Sequence, residues 1–116
     1  MNVLVINGSG SIGSALVNEL TNDGANVVYT SNKNADSYPS ESIHWKYSGE
    51  DSVKKLFEDL KSKIDRLDAL VNCLGSIFLK PAHLTTANDF DDVLDINLRS
   101  SFFLIKEAIP TVSYTH

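Results

Sequence analysis

The chain has little cysteine, tryptophan or proline: one Cys, one Trp and three Pro in 116 residues. A lone Cys73 excludes an internal disulfide framework and fits a reducing, cytoplasmic setting. No apolar run approaches the roughly 20 residues that a membrane helix needs, and the first residues lack the basic start of a secretory signal. Positive charge is also short, with 10 Lys and Arg against 15 Asp and Glu and a net charge of −5. Lys33, Lys46, Lys54, Lys55, Lys61, Lys63 and Arg66 are interleaved with carboxylates rather than gathered into a patch. This balance argues against nucleic acid or an anionic membrane surface as a partner. His44, His83 and His116 stand at no metal-ligand spacing, so no metal is expected. Repeats, low-complexity tracts and interdomain linkers are missing too. The apolar content of 42% and charged content of 22% are those of a soluble globular chain, long enough for one small domain.

What is present begins at once. Val3-Leu4-Val5-Ile6 reads as a strand buried on both faces, and Asn7-Gly8-Ser9-Gly10-Ser11-Ile12-Gly13 spells G-x-G-x-x-G into a helix start. Gly8 is expected to permit the tight turn off the strand, and Gly10 to let backbone approach a pyrophosphate. Gly13 is expected to allow close packing of helix on strand. The free N–H groups and positive dipole end of the helix then face phosphate. An ordinary glycine turn that binds nothing is the alternative; the flanking strand and amphipathic helix favour the nucleotide.

Strand and helix patterns alternate onward. A helix is expected from Ser11 to about Asp23, stopped by Gly24, and a second strand over Ala25–Thr30. Ser31–Ser42 reads as a loop and Ile43–Tyr47 as a short third strand. Ser48 with Asp51 suggests a capping box, followed by a helix with Val53, Leu56, Phe57, Leu60 and Ile64 on its inner stripe. Leu67–Cys73 is a fourth strand. Thr86 with Asp89 is a second capping box, opening a long helix towards Pro110. The order β-α-β-β-α-β-α dictates a Rossmann-like, doubly wound α/β fold. About four parallel strands stand in the order 3-2-1-4, with helices on both faces, over residues 1–110 and an irregular tail 111–116. Ligands of such sheets sit beyond the carboxyl ends of the strands. There Gly8–Gly13, Ser31–Lys33, Tyr47–Gly49 and Asn72–Gly75 should converge.

Three segments in this order resemble the N-terminal half of the short-chain dehydrogenase/reductase family. They are the glycine loop, Leu70-Val71-Asn72-Cys73-Leu74-Gly75, and Phe90-Asp91-Asp92-Val93-Leu94-Asp95-Ile96-Asn97-Leu98. The second resembles the family's Asn-Asn-Ala-Gly stretch, keeping Asn72 and Gly75 and replacing the middle pair by Cys73 and Leu74. The third resembles the helix whose asparagine, here Asn97, helps to hold the catalytic lysine and a relay water. The resemblance implies a nicotinamide dinucleotide, NAD or NADP, held by Gly8, Ser9, Gly10, Ser11, Ile12, Gly13, Ser31, Asn32, Lys33, Tyr47, Asn72, Leu74 and Gly75. It also implies hydride transfer between NADP(H) and a carbonyl or alcohol. The glycine loop is one residue shorter than the family's usual loop. Lys46 stands where family members often carry an acid against the adenine, so that contact is expected to be lost or made by backbone at Tyr47.

Cofactor choice turns on the end of the second strand, Thr30-Ser31-Asn32-Lys33, which offers no carboxylate before Asp36. An NAD site wants an acid there for the ribose hydroxyls, so the run favours NADP, with Ser31 and Asn32 as donors and Lys33 as charge. Lys33 as a plain solvated residue is the alternative. Asn97 falls inside an apolar face drawn through Phe90, Val93, Leu94, Leu98, Phe102 and Ile105. A buried amide there either ties backbone groups together or orders water and a donor. Cys73 reads as a buried, unactivated thiol and Trp45 as core packing. Asp89, Asp91, Asp92 and Asp95 read as charge favoured near a helix start rather than paired acids.

The family's serine and Tyr-x-x-x-Lys lie beyond a fifth strand, and the chain ends before one. Ser113-Tyr114 follows Pro110 too closely to replace them. The expectation is therefore a cofactor-binding half, inactive alone. An open sheet edge at Leu67–Cys73 and an uncovered side of the last helix (Phe103, Leu104, Ala108) would invite self-association. A non-catalytic dinucleotide-binding or interaction module, or a truncated remnant, is the alternative.

Overall fold

The computed structural model describes residues 1–32 and 41–111. Four parallel strands form one sheet in the order β3-β2-β1-β4, as the alternation dictates. β1 is Asn2–Ile6, β2 Asn26–Ser31, β3 Glu41–His44 and β4 Ala69–Asn72. β1 sits inside the sheet, with Val3 opposite both Val27 of β2 and Ala69 of β4. Its side chains alternate between two cores. Val3 and Val5 join Val17, Val27 and Tyr29 on one face, where α1 (Ser11–Asn22) packs. Leu4 and Ile6 join Val28, Ile43, Phe57 and Leu104 on the other, under α2 (Glu50–Lys61) and α4 (Ser100–Ala108). Burial on both faces is why β1 reads as an unbroken apolar run, each large side chain contributing roughly 1.5–3 kcal/mol.

Several local expectations are corrected. β2 runs through Ser31 and β3 starts at Glu41, so the loop expected over Ser31–Ser42 gives up residues at both ends and the third strand lies earlier. The fourth strand is shorter than Leu67–Cys73. The Ser48–Asp51 capping box does not form. α2 starts after Gly49, at φ 98°, and Ser52 Oγ instead accepts from Ser48 N–H and donates to Gly49 carbonyl. The Thr86–Asp89 box does form, with both reciprocal bonds, and opens α3 (Ala87–Leu94). The tail is ordered one residue further than expected: Thr111 ends a 3₁₀ turn and its carbonyl accepts from Leu67 N–H. Residues 112–116, Ser113 and Tyr114 among them, lie outside the described residues.

The long helix towards Pro110 is interrupted. Between α3 and α4 the chain makes a π turn, Asp95–Arg99, which inserts one residue into the helical count. Downstream of it the inner face is Ser100, Leu104 and Ala108, all buried. Phe90, Leu94, Leu98, Phe102 and Ile105, expected to face inward, are exposed, Leu98 at 65%. The two sides assigned from the sequence are thus exchanged. No helix among the described residues is long and apolar enough to cross a membrane.

Candidate functional site

The turn from β1 to α1 is shaped by Asn7 as much as by glycine. Asn7, at φ 61°, is the one non-glycine residue with positive φ among those described. Asparagine tolerates that left-handed region better than most side chains. Its N–H donates to Thr30 Oγ1 at 2.8 Å, its Nδ2 donates to the Cys73 carbonyl at 3.3 Å, and its own carbonyl accepts from Gly10 N–H. The ends of β1, β2 and β4 are thereby tied at one residue. Gly8 has a different task from the one expected. A Cβ there would meet Tyr29 Cβ at 2.5 Å, so Gly8 makes room for a core ring while Asn7 takes the turn. Gly13 behaves as expected, since its Cβ would strike the Asn7 carbonyl oxygen at 2.2 Å. At Gly10 the nearest obstacle is the Asn7 amide, at 3.0 Å.

Gly10 is also the N-cap of α1. No side chain caps the helix and its first turn holds no acid. The first N–H groups of a helix have no acceptor within it, and here no hydroxyl or carboxylate occupies the place where an anion would sit. Ser11 and Ile12 are exposed beside that end, and Ser9 is half-buried.

Next to the turn, Asn7, Thr30, Asn32, Trp45, Lys46, Tyr47 and Leu74 line a recess of about 290 Å³ at the carboxyl edge of the sheet. Asn32, Tyr47 and Leu74, singled out from the sequence, are brought together there. Ser31 is buried in β2 and its carbonyl accepts from Trp45 N–H, so Asn32 is the exposed donor of the pair. Lys33 lies outside the described residues. Trp45 packs on the core and donates from Nε1 to the Ser52 carbonyl, as a packing residue should. Tyr47 donates its hydroxyl to Asp95 Oδ1 at 2.8 Å. Burial first, and then that carboxylate, push its phenol up to about 12.

The segment after β4 forms the opposite bank. Asn72 accepts from Leu74 N–H through Oδ1 and donates to Ser101 Oγ. Asn97, in the π turn, accepts from Ser76 N–H at 3.0 Å and donates to the carbonyls of Ser76 and Val93. It is exposed rather than buried, because the π turn carries it off the packed face. A Cβ on the exposed Gly75 would come within 3.1 Å of its Oδ1. Cys73 is half-buried, and burial raises its thiol above the ordinary range, as expected of an unactivated group.

Sequence reasoning missed Asn7, Thr30, Ser76, Asp95 and Ser101. Only Asn7 carried a local signal, as an asparagine at a strand-to-turn junction. One Tyr-x-x-x-Lys spacing does occur, at Tyr29 and Lys33. Tyr29, however, is buried on a β2 strand against Gly8, in the layer shared with α1.

Fold and edge together define a doubly wound α/β protein with an uncapped helix start beside a strand-end recess. Comparison narrows this. Residues 6–115 match the family described as enoyl-(acyl carrier protein) reductase. Elsinochrome reductase 1 of Elsinoe fawcettii is 31% identical over 96% of this chain and 46% of its own length. A short-chain dehydrogenase/reductase from Serratia marcescens superposes with TM-score 0.87 at 26% identity, covering 97% of this chain and 51% of that one. A short-chain dehydrogenase from Leptospira borgpetersenii, solved with bound NAD+, superposes with TM-score 0.82 at 28% identity over 94% and 44%. The chain belongs to the short-chain dehydrogenase/reductase family and spans about half the length of these relatives.

Proposed function

We propose that this chain supplies the cofactor-binding part of an oxidoreductase that moves hydride between NADP(H) and a carbonyl or alcohol. The observation that carries the reading is the uncapped, acid-free start of α1 opening beside the recess of Asn32, Tyr47 and Leu74. In this reading the backbone of Gly8, Ser9, Gly10, Ser11, Ile12 and Gly13 holds the pyrophosphate. Asn32 and Lys33, carried by the strand end at Ser31, hold a ribose 2′-phosphate. Tyr47 borders the base, Asn72, Leu74 and Gly75 border the nicotinamide-side ribose, and Asn97 fixes the Ser76 backbone beside it. The bound NAD+ of the Leptospira relative supports a nicotinamide dinucleotide. NADP is preferred because no carboxylate stands at the end of β2 to accept from free ribose hydroxyls. The cofactor would supply the hydride. The residues at this edge bind and orient it, and no tyrosine–lysine pair stands among them to move a proton.

Titration with NADPH and with NADH, following nucleotide fluorescence and melting temperature, tests this. A saturable rise in melting temperature that is larger with NADPH supports it. Equal responses would overturn the NADP preference, and no response from folded chain would overturn the cofactor reading. Asn32→Asp should reverse the order of the two nucleotides.

We also propose that the exposed face of α3 and α4 associates with another copy of this chain, supported by Phe90, Leu94, Leu98, Phe102 and Ile105 standing in solvent along one side. Sedimentation at rising concentration tests this, and a compact monomer throughout would overturn it.

A further inference from the structure

The two banks of the recess are held from the same short stretch of helix. Tyr47 follows β3, and its ring forms one wall. Its hydroxyl reaches a residue 48 positions away, Asp95, at the start of the π turn. The ring also meets Trp45 edge-on, with centroids 6.3 Å apart, and Trp45 is itself pinned to α2 through Ser52. Two residues beyond Asp95, Asn97 holds Ser76 on the other bank. The Asp95 carboxylate has the distant Arg99 guanidinium, at 3.8 Å, as its cation. Tyr47 is its closer partner.

We propose that Asp95 is a positioning residue for the base of the bound dinucleotide, acting through Tyr47. This rests on reading the recess as the adenine end of the cofactor site. A tyrosine ring attached to a strand end by its Cβ alone can swing between rotamers, and a flat base that stacks on it must first immobilise it. Fixing the hydroxyl at the far end removes that cost before the ligand arrives. The helix that carries Asp95 is packed on the same core as β1, so the wall is anchored to the rigid part of the fold rather than to its own loop.

The test titrates the full chain with ADP, which carries the base, and with inorganic pyrophosphate, which does not, by the shift in melting temperature. Tyr47→Phe keeps the ring and removes the bond; Asp95→Ala removes the acceptor; Asp95→Asn retains an oxygen that can accept. Tyr47→Phe and Asp95→Ala should weaken ADP three- to tenfold and leave pyrophosphate within twofold of wild type. Asp95→Asn should restore ADP to within twofold. Unchanged ADP affinity in the first two variants overturns the proposal, and so does an equal loss for both probes, which would mark general loosening of the fold. Wild-type chain that binds neither probe would overturn the cofactor reading itself, and that result is visible before any variant is made.

Discussion

Asn7 combines a left-handed turn, a donor to Cys73 and an acceptor for Gly10 in one residue. Asn7→Ala should therefore cost about 1–3 kcal/mol, since alanine gains nothing at positive φ and loses the tie. Asn7→Gly should cost clearly less, as it keeps the conformation and loses only the bond; urea unfolding compares the two. The glycines beside it divide in the same way. Gly13→Ala drives a Cβ into backbone and should destabilise by roughly 1–3 kcal/mol. Gly10→Ala needs only a small shift of the Asn7 amide, so the fold should survive while nucleotide binding falls. Tyr47 gives a check at high pH. Its phenol is raised by burial and by Asp95 to about 12, above the ordinary value near 10. The native state thus holds that proton more tightly, and the contribution is fully present below pH 10 and lost as pH rises towards 12. A difference ultraviolet titration of wild type against Tyr47→Phe should show this late phenol, and Asp95→Ala should move it part of the way back.

Among the elements, β1 was legible because both its faces are buried, which leaves only apolar residues. β3 was not, because it is an edge strand in which Ile43 alone is buried while Glu41, Ser42 and His44 face water. Its sequence carries no alternation to read. The glycine loop was legible because its logic is local. The bonds from Asn7 to Cys73 and from Tyr47 to Asp95 were not, since they join positions 66 and 48 residues apart. The helix after Thr86 shows a third kind of limit. Its cap is spelled in four consecutive residues, and Thr86→Ala should cost about 1 kcal/mol by thermal unfolding. Its inner face, counted from Phe90 at a constant helical period, came out on the wrong side, because the π turn shifts the phase midway.

For the molecule as a whole, acid should be destabilising in a way that particular residues explain. Asp68 is held low chiefly by the Asn2 N–H, Asp89 by the Thr86 N–H and then Lys80, and Glu50 by Lys106. Each carboxylate binds its proton less readily in the folded chain than in the unfolded one. Their stabilisation is complete above the ordinary carboxylate range near pH 4 and is lost as pH falls below it. Chemical unfolding at stepped pH should show that decline, and Asp68→Asn should flatten part of it. The π turn also sets how the far end of the chain answers to a change in length. One residue of an α-helix turns the chain by about 100°, so deleting any residue of Asp95–Arg99 would restore an ordinary helix and rotate everything after it. Ser100, Leu104 and Ala108 would swing out of the core, and the Thr111 carbonyl would leave Leu67 at the entrance to β4. A deletion that looks like a repair of the helix would thus be an injury to the sheet.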